Sequence, residues 1–239
     1  MLVKKFFPVV ILAGGLGTRV SSISVNYPKA LLPINGVPFI AHQLKLLASN
    51  GAKKIVLCVG HQGEQMREFI KDGAAFNLTV SYSDEGESLL GTGGAIQLAL
   101  PLLEDDFFVL YGDSYLQCDY QSVQNAYINS GKLGLMTVYN NQNQWNKSNI
   151  DFDGKNIRHY SKKNHLASMN YIDYGLSVFS KKAFVHFTEK ENFDLSEVHE
   201  YLLMKNQLAA FEMHKRFYEI GSVDGIAALE KYFSERDER

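Results

Sequence analysis

The sequence predicts an α/β domain on a mixed, mostly parallel sheet with helices on both faces. Three observations carry that expectation. Apolar runs rich in Val, Ile, Leu and Phe recur at Val9–Ala13, Ile55–Val59 and Phe107–Tyr111, the composition of strands buried on both sides. Segments with apolar residues at helical spacing separate them, so strand and helix alternate four times in the first half. The first and last of these runs end in Gly14-Gly15 and Gly112-Asp113, at the carboxyl ends where open α/β sheets take ligands.

The elements follow in order. Val9–Ala13 is the first strand; the basic, apolar start before it runs straight into glycines with no small-residue cleavage site, so it reads as strand rather than secretory leader. Ile40, Leu44 and Leu47 define a helix over Pro38–Asn50 that Gly51 stops. Ile55–Val59 is a strand, Glu64–Lys71 a helix and Thr79–Tyr82 a strand; a Gly-rich turn at Gly91, Gly93 and Gly94 leads into the helix Ala95–Leu103. After the strand Phe107–Tyr111 come a helix over Tyr120–Ser130, a strand at Leu135–Val138 and a solvated Asn-rich loop at Asn140–Asn149. Asp153-Gly154 turns a hairpin between Ile150–Phe152 and Lys155–Tyr160. Tyr174–Phe179 is a strand, Leu195–Lys205 a helix, Phe217–Ile220 a short strand and Asp224–Phe233 the closing amphipathic helix.

The chain has 239 residues, 46% of them hydrophobic and 21% charged, which suits a single domain burying about 70–75% of its unfolded surface. An aromatic content of 12% and a net charge of −2 exclude disorder. No apolar run reaches membrane-spanning length. Cys58 and Cys118 have neither zinc nor redox spacing, which points to a reduced, cytoplasmic protein. Without a Lys/Arg cluster, nucleic acid is not an expected partner.

Leu12-Ala-Gly-Gly-Leu-Gly-Thr-Arg19 holds the densest chemistry. Glycines there let backbone N–H groups approach a ligand and form an anion-binding concavity, and Arg19 adds a forked cation suited to phosphate. No Lys-Ser or Lys-Thr follows, so it is not a P-loop; Val20 stands where a dinucleotide fingerprint needs its third glycine. Lys29, after Pro28, is a second phosphate-seeking cation or a plain surface lysine. Asp113 can hold a hard divalent cation or cap the next segment. Glu219 is a second candidate acid. Lys162-Lys163 follow the hairpin, and Asp173 could accept from sugar hydroxyls or simply start its strand. His199-Glu200 lacks the second histidine of a zinc protease, because Leu203 stands there. No nucleophile elbow exists, and no Cys/His pair has a spacing that suggests a nucleophile.

These residues resemble the sugar-1-phosphate nucleotidylyltransferases, or NDP-sugar pyrophosphorylases. The family's G-G-x-G-T-R-L and following P-K are matched by Gly14–Arg19, Pro28 and Lys29, with Val20 for Leu. Leu90–Ala95 is similar to its L-G-T-[AG]-[GA]-A, Gly112-Asp113 to its G-D, and Glu219-Ile-Gly-Ser222 to its D-x-G-[ST] with Glu for Asp. The match spans about Val9 to Glu230 and looks most like the short enzymes acting on D-glycero-D-manno-heptose 1-phosphate or N-acetylmuramate 1-phosphate, which lack a C-terminal β-helix. The resemblance implies a Rossmann-like nucleotide-diphospho-sugar transferase fold over 1–239, with a nucleotide-binding half to about 135 and a sugar-phosphate-binding half beyond. It implies NTP and sugar 1-phosphate substrates, Mg²⁺, an NDP-sugar and pyrophosphate as products, and a monomer or homodimer. Leu12, Ala13, Gly14, Gly15, Gly17, Thr18, Gly91 and Thr92 would bind nucleotide, with Arg19 and Lys29 catalytic. Asp113 and Glu219 would hold metal. Lys163 aligns with the family's sugar-phosphate lysine, while Lys162 replaces the usual Glu and Asp173 the usual Asn of an N-x-G motif ending at Gly175. Glu85 and Glu87 lie where relatives read the base; a glutamate there could accept from guanine N1–H and N2–H, which favours GTP slightly over UTP or CTP.

Three rival readings stay open. A glycosyltransferase would carry Asp-x-Asp, whereas Asp113-Ser-Tyr115 does not. A silent nucleotide-sugar sensor would release no pyrophosphate. An NAD-dependent oxidoreductase would bind NADH.

Overall fold

The computed structural model describes residues 5–15, 27–88 and 90–237. Its centre is β1 (Val9–Leu12), which pairs in parallel with β4 (Lys54–Val59) on one side and β6 (Asp106–Tyr111) on the other. Beyond β4 lies β5 (Thr79–Asp84), also parallel. Beyond β6 the ladder turns antiparallel with the long β11 (Tyr171–Ser180). That strand in turn pairs with β8 (Gly134–Asn140) and, at Tyr171, with the hairpin β9 (Ile150–Phe152)–β10 (Ile157–Tyr160). β12 (Leu208–Met213) closes the far edge in parallel with β8, giving nine strands among the described residues. The sheet therefore crosses position 135 without a break.

Side-chain alternation sorts the core into two layers. Val9 and Ile11 pack with Ile40, Leu44 and Leu47 of α1 (Phe39–Ser49), Met66 and Ile70 of α2 (Gly63–Ile70), and Tyr120, Val123 and Tyr127 of α4 (Tyr120–Ser130). Val10 and Val109 face the other way, onto Ala95 and Ile96 of α3 (Gly91–Ala99) and Val198 and Leu202 of α5 (Leu195–Met204). A third cluster seats α6 (Val223–Asp237) through Leu229 on Ile34 and Phe39, beside the small hairpin β2 (Pro33–Ile34)–β3 (Val37–Pro38). Among the described residues no helix is long and apolar enough to cross a membrane.

The structure departs from the sequence reading at three places. β12 is a strand that LAAFEM does not announce: its burial does not alternate, because it lies at an edge and is partly exposed along most of its length. The glycines at 91–94 begin α3 rather than precede it. Side chains there would strike the segment before α5: a Cβ on Gly93 would overlap the Phe193 ring, and one on Gly94 would sit 2.5 Å from the Glu191 carbonyl. The Asn-rich stretch after β8 is a loop exposed over residues 142–147 as expected, but Asn141 and Ser148 at its two ends are buried.

His199 is a core residue. It is 1% exposed, its Nε2 lies 3.0 Å from Ser177 Oγ, and its ring packs on Phe179. Burial pushes its pKa down to about 3, with Lys162 lowering it further and Asp194 opposing. Below the unfolded histidine's pKa the unfolded chain takes up a proton that the native ring does not, so stability falls with pH from about 6.5 towards 3. The expected contribution is at most about 1.4 kcal/mol per pH unit. Burial raises Glu85 and Asp173 and gives the opposite slope, but comparison with His199→Gln cancels both. Urea melts between pH 7 and 5 should show the variant losing less stability than the parent; parallel pH profiles would disprove the assignment.

Candidate active site

The segment Leu12–Gly15 lies between the ends of two neighbouring strands. Ala13 N–H donates to the Cys58 carbonyl at 2.9 Å and Gly112 N–H to the Leu12 carbonyl at 2.8 Å. Gly14 allows a close approach: a Cβ there would overlap Glu85 Oε1 and lie 3.2 Å from Gly60 N, so a side chain would displace the Glu85 carboxylate. Glu85 follows β5, its N–H bonded to Val59 O at 3.0 Å and its Oε2 accepting from Leu90 N at 3.2 Å. Burial raises its carboxyl above the ordinary range; the Leu90 N–H offsets part of this and Asp84 adds to it. Glu87 is exposed in the following turn. Gly17, Thr18 and Arg19 lie outside the described residues.

At the end of β6, Gly112-Asp113 is held by backbone. A Cβ on Gly112 would come within 2.8 Å of the Leu12 carbonyl. The two-stranded β7 (Ser114–Tyr115)–β13 (Tyr218–Glu219) pairs Glu219 with Ser114, and Ile220 N–H donates to Asp113 O at 3.0 Å. Gln43, 1% exposed on α1, donates to both Tyr111 O (2.9 Å) and Ser114 O (2.8 Å). Lys29, in the single 3-10 turn Lys29–Leu31, donates to Asp113 Oδ2 at 2.8 Å. Glu219 accepts from Ser222 Oγ at 2.6 Å and from Gly221 N–H. A Cβ on Gly221 would overlap Glu219 Oε2 and stand 3.2 Å from Lys29 Nζ, so lysine and glutamate flank one glycine. Lys29, Asp113 and Glu219 thus come together from three distant stretches of chain.

Among the described residues no three His, Cys, Asp or Glu side chains converge. The donor set still fits Mg²⁺, a hard cation that takes one or two carboxylates with substrate phosphates completing its shell.

The same rim continues along β11. Leu176 is opposite Leu110, and a Cβ on Gly175 would lie 3.6 Å from Tyr111 Cδ2 and 3.7 Å from Ser114 Oγ. Gly175 has φ +95, its N–H donates to Asp173 Oδ1 at 2.9 Å, and the register with β8 slips between Asp173 and Ser177. This is a bulge at which glycine's freedom is needed. Burial raises the Asp173 carboxyl; Gly175 and Lys162 pull it back and Asp194 pushes it up again. Burial raises the Tyr111 phenol strongly too, with Asp173, Asp194 and Asp113 all adding.

Lys162 donates to Asp194 Oδ1 at 2.8 Å. Asp194 caps α5 in a capping box and accepts from Thr92 Oγ1 at 3.1 Å, while Thr92 Oγ1 accepts from Leu195 N–H at 2.8 Å. Burial would raise Asp194, but the donors Lys162 and Ser196 outweigh it and hold the carboxyl well below the usual range. Two of α3's first N–H groups, those of Gly93 and Gly94, go to Phe193 O at 2.9 and 3.3 Å. Thr92 and the Gly91 turn are therefore bound to the α5 cap. Lys163 is exposed beside Lys162, and its ammonium has no partner among the described residues. Sequence reasoning missed Gln43 and Asp194. The Asp-Leu-Ser-Glu run at 194–197 is a capping-box pattern and could have marked the second.

A glycine-bordered strand end, a lysine and a carboxylate pair are equipment for transfer between phosphates. The chain belongs to the nucleotidyl transferase family, whose model matches residues 8–235. It is an enzyme of the sugar-1-phosphate nucleotidylyltransferase type. A D-glycero-alpha-D-manno-heptose 1-phosphate guanylyltransferase of Campylobacter jejuni is 31% identical over 189 residues, 79% of this chain and 82% of that protein. The mannose-1-phosphate guanylyltransferase catalytic subunit beta of Drosophila melanogaster is 26% identical over 89% of this chain, which spans 58% of that protein. The crystal structure of HddC from Yersinia pseudotuberculosis superposes with a TM-score of 0.78 at 26% identity, covering 95% of this chain and 99% of that one. HddC complexed with GMP-PN gives 0.77 at 25% identity, with the same shares covered.

Proposed function

We propose that the protein transfers a guanylyl group from GTP to a heptose- or mannose-type sugar 1-phosphate, releasing pyrophosphate. The observation that carries this reading is Glu85, set against Gly14 and Gly60 at the strand ends. A carboxylate only accepts hydrogen bonds. Guanine offers it adjacent N1–H and N2–H donors, whereas uracil sets its single N3–H between two carbonyls. The two guanylyltransferase relatives support the same choice.

The reaction needs no general base. An already ionised oxygen of the sugar phosphate attacks the α-phosphorus in line, one P–O bond forms, and the bond to the β,γ-pyrophosphate breaks. The chain must orient two anions and offset their repulsion. Leu12–Gly15 backbone would hold base and ribose, and Arg19 and Lys29 would meet the phosphates. Asp113 and Glu219 would hold Mg²⁺, which when bound neutralises charge shared by the two phosphates. Residues to about 135 would serve the nucleotide and those beyond the sugar phosphate, through Lys163, Lys162 and Asp173. Cys58 and Cys118 are both unpaired, consistent with a reducing, cytoplasmic setting.

Pyrophosphate release from four NTPs crossed with heptose, mannose, glucose and N-acetylmuramate 1-phosphates tests the reading. GTP with heptose or mannose 1-phosphate should give the highest kcat/KM; a preference for UTP or CTP would reverse it. Glu85→Gln exchanges an acceptor oxygen for a donor and should cut the GTP preference by roughly tenfold to a hundredfold, the range of one bidentate base contact. An unaltered NTP ranking in that variant would exclude Glu85 as the base reader.

A further inference from the structure

The loop between β8 and β9 is built far more elaborately than a connection needs. Asn141, fully buried, donates through Nδ2 to Asn146 O at 2.6 Å and Ser148 Oγ at 3.2 Å, and its Oδ1 accepts from Trp145 N at 3.3 Å. Asn143 and Ser148 bond reciprocally, N–H to Oγ at 3.1 Å and N–H to Oδ1 at 2.8 Å. Gln142 and Asn143 both take left-handed backbone, with φ +46 and +58. Such strain persists only where the surroundings enforce it.

The far end of this loop carries the lysine turn. Ser161 N–H donates to Asn149 O at 3.0 Å on one side of Lys162-Lys163. On the other side His165 Nδ1 lies 2.9 Å from Ser148 O, and since a carbonyl only accepts, Nδ1 bears the proton. Asn149 Oδ1 also accepts from Asp173 N–H at 3.1 Å. Ser148 and Asn149 therefore set the position of both lysines and of Asp173. The loop's tip is fastened elsewhere: Trp145 stacks on the Arg216 guanidinium at 3.7 Å from the ring centroid, and Arg216 also lies 4.8 Å from the Tyr218 ring, next to Glu219.

We propose that the Trp145–Arg216 stack is a positioning device that fixes the sugar-phosphate lysines relative to the strand bearing Glu219. Trp145 and Arg216 act through the stapled loop and touch no substrate. This rests on the function proposed above, because it assigns the lysine turn to the sugar phosphate. A stacked pair of this kind tolerates replacement of one aromatic by another but not loss of the ring.

The test uses the full chain with Mg²⁺ and the best NTP and sugar 1-phosphate pair from the panel. Trp145→Ala and Arg216→Ala should each raise KM for the sugar 1-phosphate roughly tenfold, with KM for the NTP within twofold of the parent. Trp145→Phe should restore the parental value. Trp145 is the chain's only tryptophan, so in Arg216→Ala its emission should also shift. An unchanged sugar-phosphate KM, an equal rise for both substrates, or no rescue by Trp145→Phe overturns the proposal while leaving the guanylyl-transfer reading intact. Should Trp145→Ala fail to fold, Arg216→Lys, which keeps the charge and loses the flat stack, must still show the selective KM rise. A parent protein that releases no pyrophosphate with any pair ends both readings.

Discussion

Turnover by the Asp113→Ala protein is expected to fall on the order of a thousandfold at saturating substrates, with no comparable loss of fold. The carboxylate is a hard-oxygen donor beside Glu219, and it also accepts Lys29 at 2.8 Å and Ser114 Oγ at 3.2 Å. Its backbone, by contrast, is held by groups that the substitution leaves alone: Ile220 N–H on the Asp113 carbonyl and Gln43 on the carbonyls of Tyr111 and Ser114. Chemistry and scaffold are thus separable at this position. The measurement is Mg²⁺-dependent pyrophosphate release alongside a thermal melt, with Asp113→Asn as the isosteric control. Near-parental turnover in either variant would take the metal role from Asp113.

Lys29→Ala is expected to lose roughly a hundredfold to a thousandfold in rate, since it removes a fixed cation where phosphate charge gathers. The ammonium is largely buried and meets one carboxylate that is about a third exposed. Partly solvated pairs contribute about 1 kcal/mol or less, so for a domain of this size the melt should move by only about 2–4 °C. A split of that kind, large in rate and small in stability, separates a catalytic cation from a structural one. Substitution with arginine should not restore the rate, because the longer forked side chain cannot reproduce a compact ammonium between Asp113 and Gly221. A rate loss no greater than the stability loss predicts would make Lys29 a structural residue.

Several parts of the site were legible because their signals are local. Gly14 and Gly112 follow apolar strands, and a glycine pair or Gly-Asp at such an end is visible without knowing what lies beside it. The structure supplies the neighbours: Glu85 and Gly60 against Gly14, the Leu12 carbonyl against Gly112. Gly175 was marked only by resemblance, and the bulge in β11 explains why a glycine stands two residues after Asp173. Lys162 and Lys163 were told apart only by resemblance, which set Lys163 at the family's sugar-phosphate lysine. Both are exposed; what separates them in the structure, the pairing of Lys162 with Asp194, depends on a helix cap over thirty residues away. β12 escaped notice because a partly exposed edge strand has little periodicity to read. The loop after β8 looked polar and hence solvated, and its middle is exposed, but Asn141 and Ser148 are buried and bonded to each other, a pairing that composition does not show.

Alternation of apolar runs and helical spacing decided the layered α/β architecture from the chain alone, because burial on one or two faces imposes a period on neighbouring residues. Residue chemistry offered phosphate-seeking groups at Leu12–Arg19 and Lys29, and the resemblance carried by those motifs pointed to phosphoryl transfer. Which carboxylate meets which cation was decided only in three dimensions. Lys29, Asp113 and Glu219 are separated by 84 and 106 positions, and only the register of β6 on β1 and of β13 on β7 brings them to one point. No local period encodes a register between strands a hundred residues apart; it follows from how the whole core packs.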